Sequence, residues 1–156
     1  FFPLVTAIGA LACGCRDATQ MSSAMAPTIK SSEKVTIDYL AYSIASPRRW
    51  DVVAFNPPNY SNQIWVMRVV ALPRETVAFA TNGMTINGQL MRLPSNLTNV
   101  VYYSLEQINC SGGVALPYLV PTDFYFVLGD NSTNANDSRF WGGVSKSNIV
   151  GRVKNK

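Results

Sequence analysis

After residue 30 the chain is dominated by short runs in which apolar and polar side chains alternate or the apolar ones cluster. In residues 34–40 polar and apolar side chains alternate, which is typical of a strand with one buried face. Residues 51–55 form a shorter apolar run that stops at two prolines, where backbone donors are lost. Residues 63–72 are almost continuously apolar, which predicts a strand covered on both faces.

Turn signals separate the shorter runs that follow. Residues 75–80 lead into Asn82-Gly83, which predicts a hairpin because both turn positions need positive φ. A second signal, Asn87-Gly88, follows after only three residues, so the pattern predicts a meander of short antiparallel strands. Further strands are expected at 124–128 and, less regularly, at Tyr102-Tyr103. The pattern therefore predicts an all-β domain.

Composition narrows the class of protein. With 156 residues, 47% hydrophobic and 14% charged, the chain suits one globular domain rather than a disordered segment. The net charge of +4 is dispersed and forms no basic cluster among aromatic residues, so we expect no nucleic-acid binding. The 3 cysteines form no even disulfide framework. Because the chain has no histidine, its Cys-x-Cys pair is a poor metal site, and we expect no metal and no cofactor.

The chain opens on an apolar run, residues 1–12, shorter than the roughly 20 residues that a helix needs to cross a bilayer. We interpret it as the tail of a longer hydrophobic segment. A signal-peptide core, a loosely matched lipoprotein-type site at Leu11-Ala12-Cys13 and a buried helix are the alternatives. Residues 1–16 are thus expected to end a membrane anchor or signal segment, and 17–156 to form the β domain, with 93–121 as a variable insert.

Three ordered motifs resemble type I signal peptidases, the membrane-bound Ser/Lys endopeptidases of peptidase family S26. Residues 22–29 read SSAMAPTI against the family's Ser-x-Ser-Met-x-Pro-Thr-Leu. Residues 67–75 read MRVVALPRE against Lys-Arg-Val-x-Gly-Leu-Pro-Gly-Asp. Residues 129–142 read GDNSTNANDSRFWG against Gly-Asp-Asn-Arg-x-x-Ser-x-Asp-Ser-Arg-x-Trp-Gly, the most specific match. The resemblance covers most of the chain and implies a signal-peptidase-like fold of short, coiled, mostly antiparallel strands after an apolar anchor.

The resemblance also implies where catalysis would take place. It puts Ala24 at the position of the nucleophilic serine and Met67 at that of the general-base lysine. Ser22 matches the serine that helps form the oxyanion hole, and Ala135 the serine that hydrogen-bonds the lysine. A Ser/Lys pair needs a hydroxyl and a neutral amine, so the alignment predicts a substituted, inactive dyad.

Residues beside the site are expected to keep a structural role. The resemblance implies a charged network that holds the closing loop, a small residue packed against the side chain at the lysine position, and polar residues that satisfy turn backbone groups. These are Arg68, Asp137 and Arg139 for the network, Gly129 against Met67, and Asp130 and Asn131 for the turn.

Other side chains are poor substitutes for the missing pair. Arg68 cannot act as a base because a guanidinium stays protonated. Using Ser23 as the nucleophile would shift the attacking atom by one residue and lose the geometry of attack. The lysines outside the motif all lie in polar stretches, which favour a charged amine; they are Lys30, Lys34, Lys146, Lys154 and Lys156.

Two functions follow from this resemblance. The first is a membrane-anchored, signal-peptidase-I-like protein that has lost hydrolysis and binds extended peptides or signal-peptide-bearing precursors as an added strand. Its β domain would lie on the extracytoplasmic side of the cell membrane, and an active signal peptidase or pilin-like subunits are further candidate partners. The alternative is a genuine type I signal peptidase, a serine endopeptidase that removes signal peptides, carrying inactivating substitutions. An unrelated envelope β domain that matches by coincidence is a third interpretation.

Overall fold

A computed structural model describes residues 14–60 and 62–155. Strands account for 35% of the structure and helices for 9%, so the predicted all-β class is confirmed. Every pairing between strands is antiparallel, as expected. The apolar run at residues 1–12, interpreted as the end of an anchor, lies outside the described residues.

The described residues form eleven short strands, and the brief helices all lie in the second half of the chain. The strands are β1 (Cys15–Thr19), β2 (Lys34–Asp38), β3 (Val52–Phe55), β4 (Trp65–Ala71), β5 (Thr76–Ala80), β6 (Gly83–Ile86), β7 (Gln89–Leu90), β8 (Tyr118–Leu119), β9 (Phe124–Leu128), β10 (Val144–Ser145) and β11 (Ile149–Asn155). The α-helix α1 is Ser138–Trp141, and the 3₁₀ helices are Ser95–Leu97, Glu106–Ile108 and Lys146–Asn148.

The larger sheet has seven strands in the order β1-β2-β11-β3-β4-β9-β10. Its last strand, β11, returns to the middle and pairs with both β2 and β3. The sequence predicted the inner strands well, because their apolar runs are long. It did not predict β1, whose residues Cys-Arg-Asp-Ala-Thr show no clear alternation. The domain boundary expected after residue 16 therefore falls inside this edge strand.

The smaller sheet has four strands in the order β7-β6-β5-β8, and contains both predicted hairpins. At the second turn, Asn87 and Gly88 have φ of 52° and 78°, as the dipeptide predicted. The expectation for Asn82-Gly83 was wrong in detail. Ala80 pairs with Gly83, so the turn residues are Thr81 and Asn82, and positive φ (136°) falls on Gly83 at the start of β6. The hairpin forms, but one residue earlier than the dipeptide indicated.

Strand β4 contributes to two apolar cores, the first along its N-terminal part and the second at its C-terminal end. Met67 and Val69 belong to the first core, whereas Val70 and Ala71 belong to the second. Six of the 7 residues of β4 are buried, which confirms the prediction that this strand is covered on both faces. The strand that carries the expected base position is therefore among the most enclosed parts of the molecule.

The middle segment, residues 93–121, lacks the strand that the sequence predicted there. Tyr102 and Tyr103 form no strand; the only pairing nearby is an isolated parallel bridge between Val101 and Asn131. Tyr102 is buried because its ring packs into the second core, and this packing accounts for the apolar character of the pair. Among the described residues, no helix has the length and apolar character needed to cross a membrane.

Candidate active site

The segment around Ala24 is a tight series of turns that is anchored by backbone hydrogen bonds and by two buried side chains. The Ala26 amide donates to the Ser23 carbonyl at 3.0 Å, and the Ile29 amide donates to the Met25 carbonyl at 2.9 Å. Met25 and Ile29 are fully buried in the first core. These two anchors fix the backbone and leave Ala24 half-buried at the surface.

Two asparagines of the loop after β9 attach this segment to the rest of the site. The Asn131 amide donates to the Ala24 carbonyl at 2.9 Å, and Asn131 Nδ2 donates to the Ser23 carbonyl at 3.2 Å. Asn134 Nδ2 donates to Ser23 Oγ at 2.7 Å. The expectation that Asn131 satisfies backbone groups fits this geometry, although the groups belong to the facing segment rather than to its own turn.

Gly129 is the point where the two segments touch. A Cβ added to Gly129 would lie 2.6 Å from the Ala24 carbonyl oxygen and would overlap the Cβ of Ala135. Gly129 therefore packs directly against both, and the motif positions of the nucleophile and of the lysine partner come together here. A residue with any side chain at 129 would force them apart.

Met67 approaches the same place from β4. Arg68 pairs with Leu128 and Val69 with Val127, so extending this register by one residue puts Met67 opposite Gly129. Met67 is only 3% exposed and shares the first core with Met25. Its environment is the apolar kind that would favour a neutral amine, but a thioether has no proton to exchange.

The hydroxyls nearest to Ala24 are not activated. Ser22 Oγ accepts from Gln20 Nε2 at 3.0 Å and from the Ala24 amide at 3.4 Å. Ser23 Oγ accepts from Asn134 Nδ2. All of these partners are N–H donors, and none of them can take a proton from the serine. Gly129 thus contacts Ala24 and Ala135, Met67 lies on the neighbouring strand, and no base is hydrogen-bonded to Ser22 or Ser23 in the part of the chain that the structure describes.

A serine and a lysine do meet elsewhere, at the surface. Lys146 Nζ donates to Ser46 Oγ at 3.0 Å, and both residues are exposed. The apolar enclosure that a general-base lysine needs is missing there. This contact is an ordinary surface hydrogen bond.

The charged network beside the site consists of two ion pairs, and the first is Arg68 with Asp130. Arg68 Nε and Nη2 donate to the two carboxylate oxygens of Asp130 at 2.9 and 2.6 Å, while Nη1 donates to the Trp50 carbonyl at 2.9 Å. The Tyr102 hydroxyl donates to Asp130 at 2.7 Å. The expectation that Asp130 satisfies turn backbone groups was wrong, because its carboxylate is occupied by these side chains.

These contacts shift the pKa of Tyr102 and of Arg68. Burial raises the pKa of the Tyr102 hydroxyl well above its usual value, and the Asp130 charge adds to the effect. Burial opposes the charge of Arg68, but its hydrogen bonds and charge interaction with Asp130 outweigh it and raise the pKa of the guanidinium. The guanidinium of Arg68 therefore stays charged beneath the loop.

The second ion pair joins Arg139 to Asp137. Arg139 Nε and Nη2 each donate to Asp137 at 2.8 Å, and the Gly129 amide donates to the same carboxylate at 3.1 Å. Burial raises the pKa of Asp137, although Arg139 acts in the opposite direction. Arg68 was expected to act with Asp137 and Arg139; it pairs with Asp130 instead, so the two pairs hold the two ends of the loop separately.

Sequence reasoning missed two members of this network. Ser132 occupies the family's arginine position, yet its buried Oγ accepts from the Tyr103 amide and from Arg139 Nη1, each at 2.9 Å. Tyr102 was interpreted only as part of a strand. A tyrosine inside an irregular, polar segment was the available signal, since a buried hydroxyl needs a partner.

Comparison with known proteins agrees with this geometry. The model of the family described as "Signal peptidase, peptidase S26" matches residues 1–156. The chain belongs to the S26 signal peptidase family. The signal peptidase I of Leptolyngbya laminosa is 36% identical over 139 residues, which cover 85% of this chain and 63% of that protein. A probable signal peptidase I of Synechocystis is 30% identical, and the match covers 85% of this chain and 58% of that protein.

A solved structure extends the likeness to the fold of this S26 family member. The signal peptidase I of Enterococcus faecalis matches with a TM-score of 0.53 and 27% identity, covering 71% of this chain and 99% of that structure. The chain spans 63% and 58% of the two curated relatives, less than two thirds of either. The assignment of Ala24 and Met67 to the dyad positions stays a prediction from the motifs.

Proposed function

We propose that this S26 family protein binds extended peptides or signal-peptide-bearing precursors without hydrolysing them. The observation that supports the proposal is the contact of Gly129 with the Ala24 carbonyl and with the Ala135 side chain, next to Met67 on the neighbouring strand β4. No side-chain atom of these four residues can attack a carbonyl or accept a proton. Within the described ranges, the hydroxyls of Ser22 and Ser23 accept hydrogen bonds from N–H donors and have no base as a partner.

The expected loss of catalytic turnover supports the absence of hydrolysis. Removing the nucleophile or the base of a serine hydrolase lowers turnover by about a millionfold, which is about 8 kcal/mol of barrier. Substrate positioning and an oxyanion-hole hydroxyl recover only a small part of this. The chain is therefore expected to give no detectable cleavage of a precursor in an ordinary assay.

Binding does not need the lost groups. An extended peptide that joins a protein as an extra strand is held mainly by backbone hydrogen bonds, with shallow pockets that select small side chains. The segment around Ala24 is half-buried, carries small side chains and is fixed by Asn131 and Asn134. A surface of this kind is ready to accept a peptide without reorganisation, which lowers the entropic cost of binding.

We also place this protein at the cell membrane, with the β domain on the extracytoplasmic side. The apolar residues 1–12 support the placement, because they directly precede the first strand. Their apolar side chains suit a segment that contacts the membrane. An active signal peptidase or pilin-like subunits are candidate partners of the same surface.

A direct test separates binding from cleavage in one sample. The full chain is incubated with a fluorescent peptide carrying an Ala-x-Ala cleavage site; anisotropy measures binding and mass spectrometry measures products. We expect saturable binding, intact peptide, and binding that is lost in Ala24→Arg but kept in the matched control Ala115→Arg, at an exposed alanine of the middle segment. Equal binding by both variants, or no binding by the unsubstituted chain, would reject the peptide site.

The alternative is a genuine type I signal peptidase that carries inactivating substitutions. The intact Arg68–Asp130 and Arg139–Asp137 pairs favour it, because the framework that would hold an active site is complete. It predicts that Ala24→Ser with Met67→Lys restores cleavage. If this double variant, and then a triple variant with Ala135→Ser, folds and stays inactive, the alternative is excluded. Sequencing the native gene distinguishes engineered from natural substitutions.

A further inference from the structure

A cavity of about 350 Å³ lies between the middle segment and the smaller sheet. Its lining comes from β5, from the middle segment and from α1. None of the residues at the motif positions of the candidate active site lines it; these are Ala24, Met67, Gly129 and Ala135. Ligand pockets in proteins usually measure about 300–1,000 Å³, so a cavity of this size suits a small molecule with a single ring.

One part of the lining is apolar. It consists of Phe79 from β5 and of three aliphatic residues of the middle segment, Leu105, Val114 and Leu116. Phe79, Leu105 and Val114 are half-buried, whereas Leu116 is 43% exposed. A hydrocarbon group that enters the cavity removes this surface from water, which favours binding of an apolar ring.

The wall that the middle segment forms is held in place by backbone contacts. The Cys110 amide donates to the Leu105 carbonyl at 2.8 Å, and the Val114 amide donates to the Arg139 carbonyl at 2.9 Å. A Cβ added to Gly113 would overlap both the Leu105 side chain and the Arg139 carbonyl oxygen, so the segment packs closely against α1. The cavity is therefore formed before a ligand enters it, and binding needs little ordering of the chain.

Glu106 is the charged lining residue that is available to a ligand. Its side chain is exposed, and it makes no ion pair or side-chain hydrogen bond with any other residue in the described ranges. Arg139, which also lines the cavity, is already engaged. Its guanidinium donates to Asp137, to Ser132 and to the Tyr103 carbonyl. An ionised carboxylate can only accept hydrogen bonds, so the free charge favours a cationic donor.

We propose that this cavity binds a small primary amine that carries one apolar ring, with the ring against Phe79 and the aliphatic wall and the ammonium group on Glu106. The volume limits the ring to one, and the unpaired carboxylate selects the charge. An anionic molecule of the same shape would be repelled by Glu106. The cavity is separate from the peptide surface around Ala24 and exists whether or not that surface binds a peptide.

Cys110 supplies the reporter for a test, because it lines the cavity and its side chain is exposed. The full chain is alkylated with iodoacetamide at constant pH while 2-phenylethylamine is titrated, and peptide mass spectrometry gives the rate at each cysteine. Cys15, on β1, is the internal control. We expect saturable slowing at Cys110, about tenfold when the amine exceeds its dissociation constant tenfold, and an unchanged rate at Cys15. No slowing at Cys110, or equal slowing at both cysteines, would overturn the inference.

Two analogues test the charge of the ligand without changing the protein. 2-Phenylethanol keeps the ring and carries no charge, and 3-phenylpropionate keeps the ring and carries a negative charge. At equal concentration we expect the amine to protect Cys110 most, the alcohol less and the carboxylate least. Protection by 3-phenylpropionate that equals protection by the amine would contradict the assignment of a cationic ligand.

A pair of variants tests the role of the carboxylate. Glu106→Gln removes the charge and keeps the shape of the side chain, and Asp123→Asn makes the same change at an exposed residue outside the cavity. Loss of a partly exposed ion pair weakens binding about two- to fivefold, so Glu106→Gln should need that much more amine for half-maximal protection of Cys110. Asp123→Asn should behave like the unsubstituted chain. Thermal unfolding checks that both variants are folded, and equal protection in the two would contradict the role of Glu106.

The fluorescent Ala-x-Ala peptide separates this cavity from the peptide surface around Ala24. We expect the peptide to leave the alkylation rate of Cys110 unchanged, because the motif positions of the site do not line the cavity. Slowing by the peptide that is lost in Ala24→Arg would make the cavity a part of the peptide site and would overturn the inference. A chain that the amine protects but that binds no peptide would support the cavity and reject only the proposed peptide binding.

Discussion

The backbone amide of Asn131 donates a 2.9 Å hydrogen bond to the carbonyl oxygen of Ala24. This bond joins the segment with the expected nucleophile position to the loop that contains Ala135. Because it is made by backbone atoms, it does not depend on a hydroxyl at 24 or on an amine at 67. The geometry of the site can therefore persist in a protein that has neither catalytic group.

Gly129 is predicted to tolerate no side chain. In Gly129→Ala the new methyl group meets the Ala24 carbonyl and the Ala135 methyl group, and overpacking of this kind costs about 1–3 kcal/mol. Urea denaturation should show the loss. Adding Ala135→Gly should recover only part of it, because the carbonyl of Ala24 still blocks the space. A Gly129→Ala variant as stable as the unsubstituted chain would show that the two segments are not packed as described.

Met67→Lys is predicted to make stability depend on pH. Burial lowers the pKa of a lysine below its unfolded value of about 10.4, so between the two values the unfolded chain binds the additional proton. Stability of the variant should therefore rise as pH increases toward about 10.

The matched control for this change is Met67→Leu, which keeps the volume and should cost less than about 1.5 kcal/mol at every pH. Urea midpoints of both variants across a pH series provide the measurement. A constant difference between them would mean that the lysine reaches solvent, and that this position is not the enclosed slot that the structure indicates.

Arg68→Ala is predicted to be among the most destabilising single changes. It leaves the Asp130 carboxylate buried without its cation, and breaking one side of a buried pair costs about 3–5 kcal/mol. Lys154→Ala removes one partner of the half-exposed contact with Asp38 and should have little effect. Comparable denaturation midpoints for these two variants would argue against a buried Arg68–Asp130 pair.

Arg74 has a φ of 68°, in the left-handed region, at a position where the resembled family has glycine. A left-handed backbone conformation costs a non-glycine residue about 1–2 kcal/mol. Glycine avoids this cost, but the greater flexibility of its unfolded state offsets part of the gain in stability. Arg74→Gly should thus be neutral or raise the free energy of unfolding by up to about 1 kcal/mol. Arg92→Gly, at an exposed arginine without positive φ, should lower it; urea denaturation of both variants provides the comparison, and an equal loss in the two would contradict the argument.

Trp50 shows why this argument does not extend to every such position. It also has a positive φ, 75°, but its ring packs against the second core. Trp50→Gly relieves the strain of the positive φ but also removes this packing. The loss of the packed aromatic surface costs more stability than the relief of strain restores. We expect lower stability, which thermal unfolding would reveal.

The sequence predicted the parts of the fold that have strong local signals. The apolar run of β4 and the Asn87-Gly88 turn formed as expected, since burial on two faces and positive φ each leave a clear pattern. Edge strand β1 was missed because a solvent-facing strand needs no alternation. The Asn82-Gly83 turn formed one residue away, since pairing across the sheet decided the register.

The site was harder to predict wherever partners are distant in sequence. Arg68 was grouped with Asp137, yet it pairs with Asp130, and the choice between two nearby carboxylates is made only by the path of the loop. In the motif comparison, Ser132 only marked the absence of the family's arginine. In the structure its hydroxyl accepts a hydrogen bond from Arg139. Such contacts depend on three-dimensional position and leave no trace in a motif.

The absence of peptide hydrolysis is the central claim, and precursor cleavage tests it most directly. The unsubstituted full chain is reconstituted in vesicles with a precursor bearing an Ala-x-Ala site, and the products are read by mass spectrometry. We predict that the precursor stays intact at the level of a protein-free control. Cleavage after the Ala-x-Ala site that disappears in Ser22→Ala or Ser23→Ala would contradict the account.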